Sequence, residues 1–160
     1  MRRVKFKGFA LTLDVAIFVM CIALLFAAAI FGIPSYLKSA RMNQAKADVA
    51  AFSLAVSRYA YDMENAYPDN TPGQCLPSSL SILESKDTDT GYGPWLVGTT
   101  IKKSGTSYLD PWGNEYVYTH GSGDDGRFVV YSKGPDGSGS VTVDGVVSDN
   151  GIGATGGYQK

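Results

Sequence analysis

A block of 19 residues without a single charge, VAIFVMCIALLFAAAIFGI at positions 15–33, constrains this chain more than any other feature. At about 1.5 Å of rise per residue, a helix of that length nearly crosses a hydrocarbon core of about 30 Å. Its flanks are asymmetric. Arg2, Arg3, Lys5 and Lys7 precede Phe9, and no acid does. Without its first eight residues the chain carries 10 basic and 15 acidic residues, net −5. An acidic body argues against a nucleic-acid partner held by a basic surface. One histidine and two cysteines argue against a Cys/His zinc cluster, a disulfide framework and a His-based triad. Cys21 lies in the apolar run and Cys75 far beyond it, so they are not expected to pair within one subunit. There is no nucleophile–base arrangement, phosphate loop or paired-carboxylate cleft to support an enzyme.

Four readings of the amino terminus compete. A cleaved secretory signal needs small residues after the apolar stretch, and Ala27, Ala28 and Ala29 supply them. Yet the run is long and continues past Pro34 into a helical pattern. A plain signal anchor would leave the basic start in the cytoplasm and the rest outside. A buried core helix lacks flanking sequence large enough to enclose it. The fourth reading turns on Gly8, a small residue placed before the apolar run, directly after the basic stretch.

Beyond Pro34, residues 35–65 read as helix. Ala45, Val49, Phe52, Val56, Tyr59 and Met63 recur every three or four positions, a stripe that should bury against a sheet. Pro34 removes one backbone donor and could kink or locally melt the helix, and Gly32 adds flexibility. Pro68 biases Tyr67 out of helical geometry and ends it. About 57 residues of helix would extend roughly 85 Å.

From Tyr67 onward the chain is turn-rich. Residues 67–73 (YPDNTPG) form a turn cluster. Residues 76–83 fit a short helix capped by Ser78 or Ser79. Residues 114–119 (NEYVYT) and 127–132 (RFVVYS) are β-type runs joined by the hairpin connection of residues 120–126. Asp144-Gly145, between two valine-rich pairs, is a two-residue turn signal. A small antiparallel sheet of three or more strands should pack on the second half of the helix. His120 and the Asp124-Asp125 pair belong to the hairpin turn. In Asp110-Pro111-Trp112-Gly113-Asn114, Asp110 and Pro111 start a turn, Trp112 should be a large apolar anchor, and Gly113-Asn114 tolerates positive φ before the strand.

The junction Lys7-Gly8-Phe9-Ala10-Leu11-Thr12-Leu13-Asp14 resembles the leader junction of type IV prepilins and pseudopilins. Residues 108–116 (YLDPWGNEY) and 128–137 (FVVYSKGPDG) are similar to the Asp-Pro-Trp-Gly-Asn-x-Tyr and Tyr-Ser-x-Gly-x-Asp-Gly segments of the major pseudopilin of type II secretion. The resemblance implies an α+β, type IV pilin-like fold. Its parts would be a cleaved basic leader (1–8), a hydrophobic transmembrane and filament-core helix (9–34), an amphipathic stalk (35–66) and a globular domain (67–160). It implies cleavage after Gly8 by a prepilin peptidase and N-methylation of Phe9. Asp14 would take part in assembly, facing a neighbour's terminal amine. In that family the acid is usually a glutamate five residues past the junction glycine, whereas Asp14 is six past Gly8.

The same resemblance implies a calcium ion in the carboxy-terminal loop. The carry-over places Lys133 as a carbonyl donor, Asp136 as the Gly-x-Asp-Gly carboxylate, and Asp149 with Asn150 as later ligands. The hairpin of residues 141–147 would be an insertion with Asp144 as its turn residue. The implied function is a homo-oligomeric helical filament working as a periplasmic piston in type II protein secretion. Its partners would be an inner-membrane assembly platform and minor pseudopilins. An extracellular type IV pilin or competence-type filament, and a monomeric membrane-anchored binding domain, remain alternatives on sequence alone.

Overall fold

The computed structural model describes residues 7–121, 123–145, 147–148 and 151–157; for residues 7–12, 28–33 and 147–148 only the backbone course is given. The chain divides into two compact units, Met1–Ala40 and Arg41–Lys160. Helix α1, Lys7–Ala66, supplies the helical residues of the first unit and the opening element of the second. Pro34 lies inside α1 without ending it. The helix stops where the sequence predicts, one residue before Tyr67, whose N–H closes the last turn onto Met63 O at 2.9 Å.

In the second unit the expected stripe is the buried one. Ala45, Val49, Phe52, Val56 and Met63 are buried and Tyr59 packs beside them. Ala55 and Ala60 are buried too, which broadens the apolar face to the width usual for a helix lying on a sheet. Aromatic edges set the contact. Phe52 meets Tyr108 at 4.9 Å and Tyr116 at 5.2 Å between ring centroids, and Tyr59 meets Trp95 at 4.7 Å, all edge-on.

Residues 76–83 do not form the expected single helix. One 3-10 turn, Pro72–Cys75, precedes them and a second, Leu80–Glu84, takes up only their end. Pro77, fully buried between them, has no N–H to give and disfavours helical geometry at Leu76. Ser79 occupies the cap position of the second turn, but its hydroxyl bonds Ser81 Oγ at 2.9 Å rather than the backbone.

Strands β1 (Lys102–Ser104) and β2 (Ser107–Leu109) make a short hairpin across Gly105 and Thr106, with Gly105 at φ 62°. Strands β3 (Val117–His120) and β4 (Arg127–Ser132) form the expected hairpin. Strands β5 (Ser140–Val141) and β6 (Val147–Ser148) form a third. Its turn differs from the two-residue form predicted. Gly145 N–H bonds Thr142 O at 2.9 Å, so Val143 and Asp144 are central and Gly145 follows at φ 81°. Strand β3 begins later than residue 114, because the backbone there is held in the preceding turn; Glu115 contributes only an isolated bridge to Leu109.

The largest departure is β7, Ile152–Gly157, in a stretch the composition marks as loop. It pairs antiparallel with the whole of β4, giving the sheet order β3-β4-β7. Glycine is required there by what covers it. A Cβ on Gly156 would lie 2.4 Å from the Phe128 ring, and one on Gly153 would meet Val141 at 2.8 Å. The missing side chains make room for core groups. Gly156→Ala is therefore expected to destabilise the domain by about 1–3 kcal/mol through overpacking. Urea unfolding would check it, and an unchanged midpoint would refute the close-packing role.

Candidate functional site

The first unit presents an apolar helix surface with nothing over it. Among residues 13–27 every described side chain is exposed except Ile22, which is intermediate. Phe18, Met20, Leu25 and Phe26 are 65–71% exposed. They lie on several sides of the helix, so no single face could be turned inward to hide them. Asp14 is exposed among them and is the one charged side chain in that stretch. The backbone places Gly8 and Phe9 in the first helical turn, and only that backbone course is described there. Among the described residues, no helix is long and apolar enough to cross a membrane.

In the second unit the Asp-Pro-Trp-Gly-Asn segment is a hydrogen-bonded knot. The anchor is Asp110, and this corrects the expectation for Trp112, which is only half-buried. Asp110 is 1% exposed. Its Oδ1 accepts the N–H groups of Trp112 (3.0 Å) and Asn114 (2.8 Å). Its Oδ2 accepts the Ser132 hydroxyl at 2.6 Å. Backbone bonds lock the same turn, with Asp110 N–H on Asn114 O (2.8 Å) and Gly113 N–H on Asp110 O (3.0 Å). Gly113 sits at φ 93°, which the sequence anticipates. A carboxylate fits this position because it is an acceptor only, and three donors converge on it.

The knot reaches the next loop. Ser132 Oγ also accepts Gly134 N–H at 3.0 Å, and Asn114 Nδ2 donates to Gly134 O at 2.9 Å. Asn114 thus reaches the backbone that carries two of the predicted metal donors, Lys133 and Asp136. The Lys133 carbonyl accepts Gly139 N–H at 2.8 Å, and Asp136 Oδ1 accepts Ser138 N–H at 3.1 Å. Both are hard oxygen donors of the type calcium takes. Asp149 and Asn150 lie outside the described residues. Among the described residues no three His, Cys, Asp or Glu groups come together in a metal-sized cluster.

Two polar clasps tie the helix to the rest of the domain, and neither was foreseen. Tyr116 donates its hydroxyl to Asp48 Oδ2 at 2.9 Å, and Trp95 donates Nε1–H to Asp62 Oδ2 at 2.7 Å. Burial pushes the Asp48 carboxyl above its ordinary value, and the Tyr116 bond offsets part of that rise. Burial and the Asp48 charge together push the Tyr116 phenol up. The signal was present: Asp48 and Asp62 flank the apolar stripe, each one residue before a core position, Val49 and Met63. Of the remaining candidates Asp125 is a loop residue, whereas His120, expected in the turn, is the last residue of β3 and pairs with Phe128. Asp125 pairs with Arg127, and His120 is exposed. Cys75 is buried and Cys21 exposed, and the two are not joined in a disulfide.

The family model described as Type II secretion system (T2SS), protein G matches residues 33–148. The chain belongs to this family. It is 31% identical over 138 residues to the type II secretion system core protein G of Pseudomonas aeruginosa, covering 86% of this chain and 89% of that protein. It is 32% identical over 136 residues to the core protein G of Vibrio cholerae, covering 83% of each. No solved structure gives a significant match. In this protein G chain the matched segment takes in the Asp110 knot and the loop at Lys133 and Asp136. Gly8, Phe9 and Asp14 precede it, and Asp149 and Asn150 follow it. The long helix on small antiparallel sheets is the α+β, pilin-like arrangement expected of the family.

Removing the Asp110 carboxylate leaves three donors unpaired in a dry site. Asp110→Ala is expected to cost about 3–5 kcal/mol, since bonds to a charged acceptor are strong and orphaned groups are expensive. Trp112→Ala, at a partly buried position, is expected to cost less, about 1–2 kcal/mol. Chemical denaturation of both variants decides the order, and a larger loss at Trp112 would restore it as the anchor.

Proposed function

We propose that this chain is the major pseudopilin of a type II secretion system, a structural subunit that polymerises into a helical periplasmic filament. Membership of the protein G family carries the reading. The exposed apolar surface of residues 13–27 supplies its physical basis, because identical helices packed side by side would remove that surface from water. The subunit is made with a basic leader, cut after Gly8 by a prepilin peptidase and methylated on Phe9. Before assembly its amino-terminal helix is held in the inner membrane with the globular domain in the periplasm. An assembly platform and minor pseudopilins are its partners. Asp14 neutralises the terminal amine of a neighbouring subunit, which offsets the cost of placing a carboxylate within an apolar stack. The role is structural rather than enzymatic.

Mass spectrometry of the mature amino terminus tests this reading. The expected product begins at methylated Phe9, and Gly8→Val accumulates unprocessed precursor and assembles no filament. Filaments built from full-length precursor, or a mature chain starting near Ala29, would sink it.

Calcium in the carboxy-terminal loop belongs to the same proposal. Lys133 O and Asp136 would be two of its oxygen donors, with Asp149 and Asn150 completing the set. The ion would tie the loop to the segment that follows it. A chelator is then expected to lower the melting temperature of the wild type and to leave Asp136→Ala unmoved. A wild-type melting curve indifferent to chelator removes the metal.

A further inference from the structure

Charge is sorted along this chain in a way that burial of the apolar helix does not require. Between Asp14 and Asp48 lie three basic residues, Lys38, Arg41 and Lys46, and no acid. Residues 47–160 carry 7 basic and 14 acidic residues, net −7. The three cations are exposed on α1, and none enters an ion pair among the described residues. A helix commonly pairs such a charge with an acid three or four positions away. Here no acid stands at that spacing from any of the three. The acids of the second unit include exposed ones that are equally free of ion pairs among the described residues: Asp69, Asp89, Glu115 and Asp124.

Two kinds of anion could meet these cations, lipid phosphate and protein carboxylate. Distance separates them. The headgroup layer on one side of a bilayer is only about 5–8 Å deep. With residues 15–33 in the inner membrane, Lys38 comes five residues past Ile33, about 8 Å of helix, and reaches that layer. Lys46 comes thirteen residues past Ile33, about 20 Å of helix, and stands beyond it. A carboxylate partner is therefore the one that fits Lys46, and Arg41 faces the same choice one turn earlier.

We propose that Arg41 and Lys46 dock on the acidic surface of the second unit of another copy of this chain, and that this contact sets an axial stagger between neighbouring subunits. The proposal rests on the filament reading, which brings copies side by side through residues 13–27. Parallel copies packed flush would set basic stretch against basic stretch and acidic unit against acidic unit. Like charges in contact are penalised, and opposite charges at close range are favoured. A copy shifted along the helix axis exchanges the first arrangement for the second. Apolar burial supplies the attraction but is non-directional. The charge pattern supplies the register.

The test uses filaments collected from cells that express the full chain with its assembly machinery. A carbodiimide, which joins an amine to a carboxylate only when the two touch, is added, and the covalent dimer is separated from monomer on a denaturing gel. Mass spectrometry of the dimer is expected to find Lys46 joined to a carboxylate of the second unit, in a linked peptide absent from the monomer band. Arg41→Gln with Lys46→Gln is expected to lower filament yield roughly fivefold or more, the worth of two exposed ion pairs, with the melting temperature unchanged. Arg41→Lys with Lys46→Arg keeps both charges and is expected to keep the yield. Regular wild-type filaments in which Lys46 stays unlinked, or is linked only within its own copy, overturn the proposal and leave the filament reading standing. So does a full yield from the double glutamine variant. An unlinked Lys46 in filaments whose assembly depends on added phosphatidylglycerol would assign the cations to lipid headgroups and overturn it too. If the wild type forms no filament at all, the filament reading itself fails and takes this proposal with it.

Discussion

One buried carboxylate organises the outer domain. Asp110 stands where strand β2 ends and β3 has yet to begin, and its two oxygens serve different neighbours. Oδ1 shapes the turn through the N–H groups of Trp112 and Asn114. Oδ2 holds Ser132, the last residue of β4, which in turn holds Gly134. A hydrogen bond to a charged acceptor in a dry site is strong, and the penalty for leaving its donors unmade is larger still. The turn, the end of the central strand and the start of the following loop are therefore ordered by a single group. Asn114 adds a second thread to the same loop through Gly134 O.

This explains which parts of the fold were legible. Helix α1 was readable because its second half repeats buried residues at helical spacing and Pro68 closes it. Strand β4 was readable because RFVVYS is rich in β-branched and aromatic residues. Both signals are local. Strand β7 carries no such signal, since IGATGG owes its conformation to Phe128 and Val141 lying over its glycines. Those contacts come from residues well before it in the chain, and composition cannot express them. The two 3-10 turns failed for a local reason: Pro77 overrides an otherwise helical pattern.

The candidate site divides in the same way. The Asp-Pro-Trp-Gly-Asn motif was recognisable as a turn, but its large aromatic drew attention away from its acid. Tryptophan usually contributes burial, whereas here the three-donor demand of the turn put Asp110 inside and left Trp112 at the edge. Of the partners of Asp110, Trp112, two residues on, was predictable from Asx-turn chemistry. Ser132, 22 residues away, was not, because only the antiparallel register of β3 on β4 brings it near.

The two units of the chain solve opposite problems. The second unit holds the carboxylates of Asp110, Asp48 and Asp62 in hydrogen bonds of its own and covers its apolar stripe with its own sheet. The helix of residues 13–27 covers almost nothing. Nine of its large apolar side chains are more than half exposed in a single copy. At about 1.5–3 kcal/mol for full burial of such a side chain, their shared burial is worth on the order of 10 kcal/mol before the cost of association. A domain that needed that energy for its own folding could not hand it to a neighbour. Because the outer domain is closed without it, the whole of that surface is available for contact between copies, which is the division of labour a filament subunit of the protein G family requires.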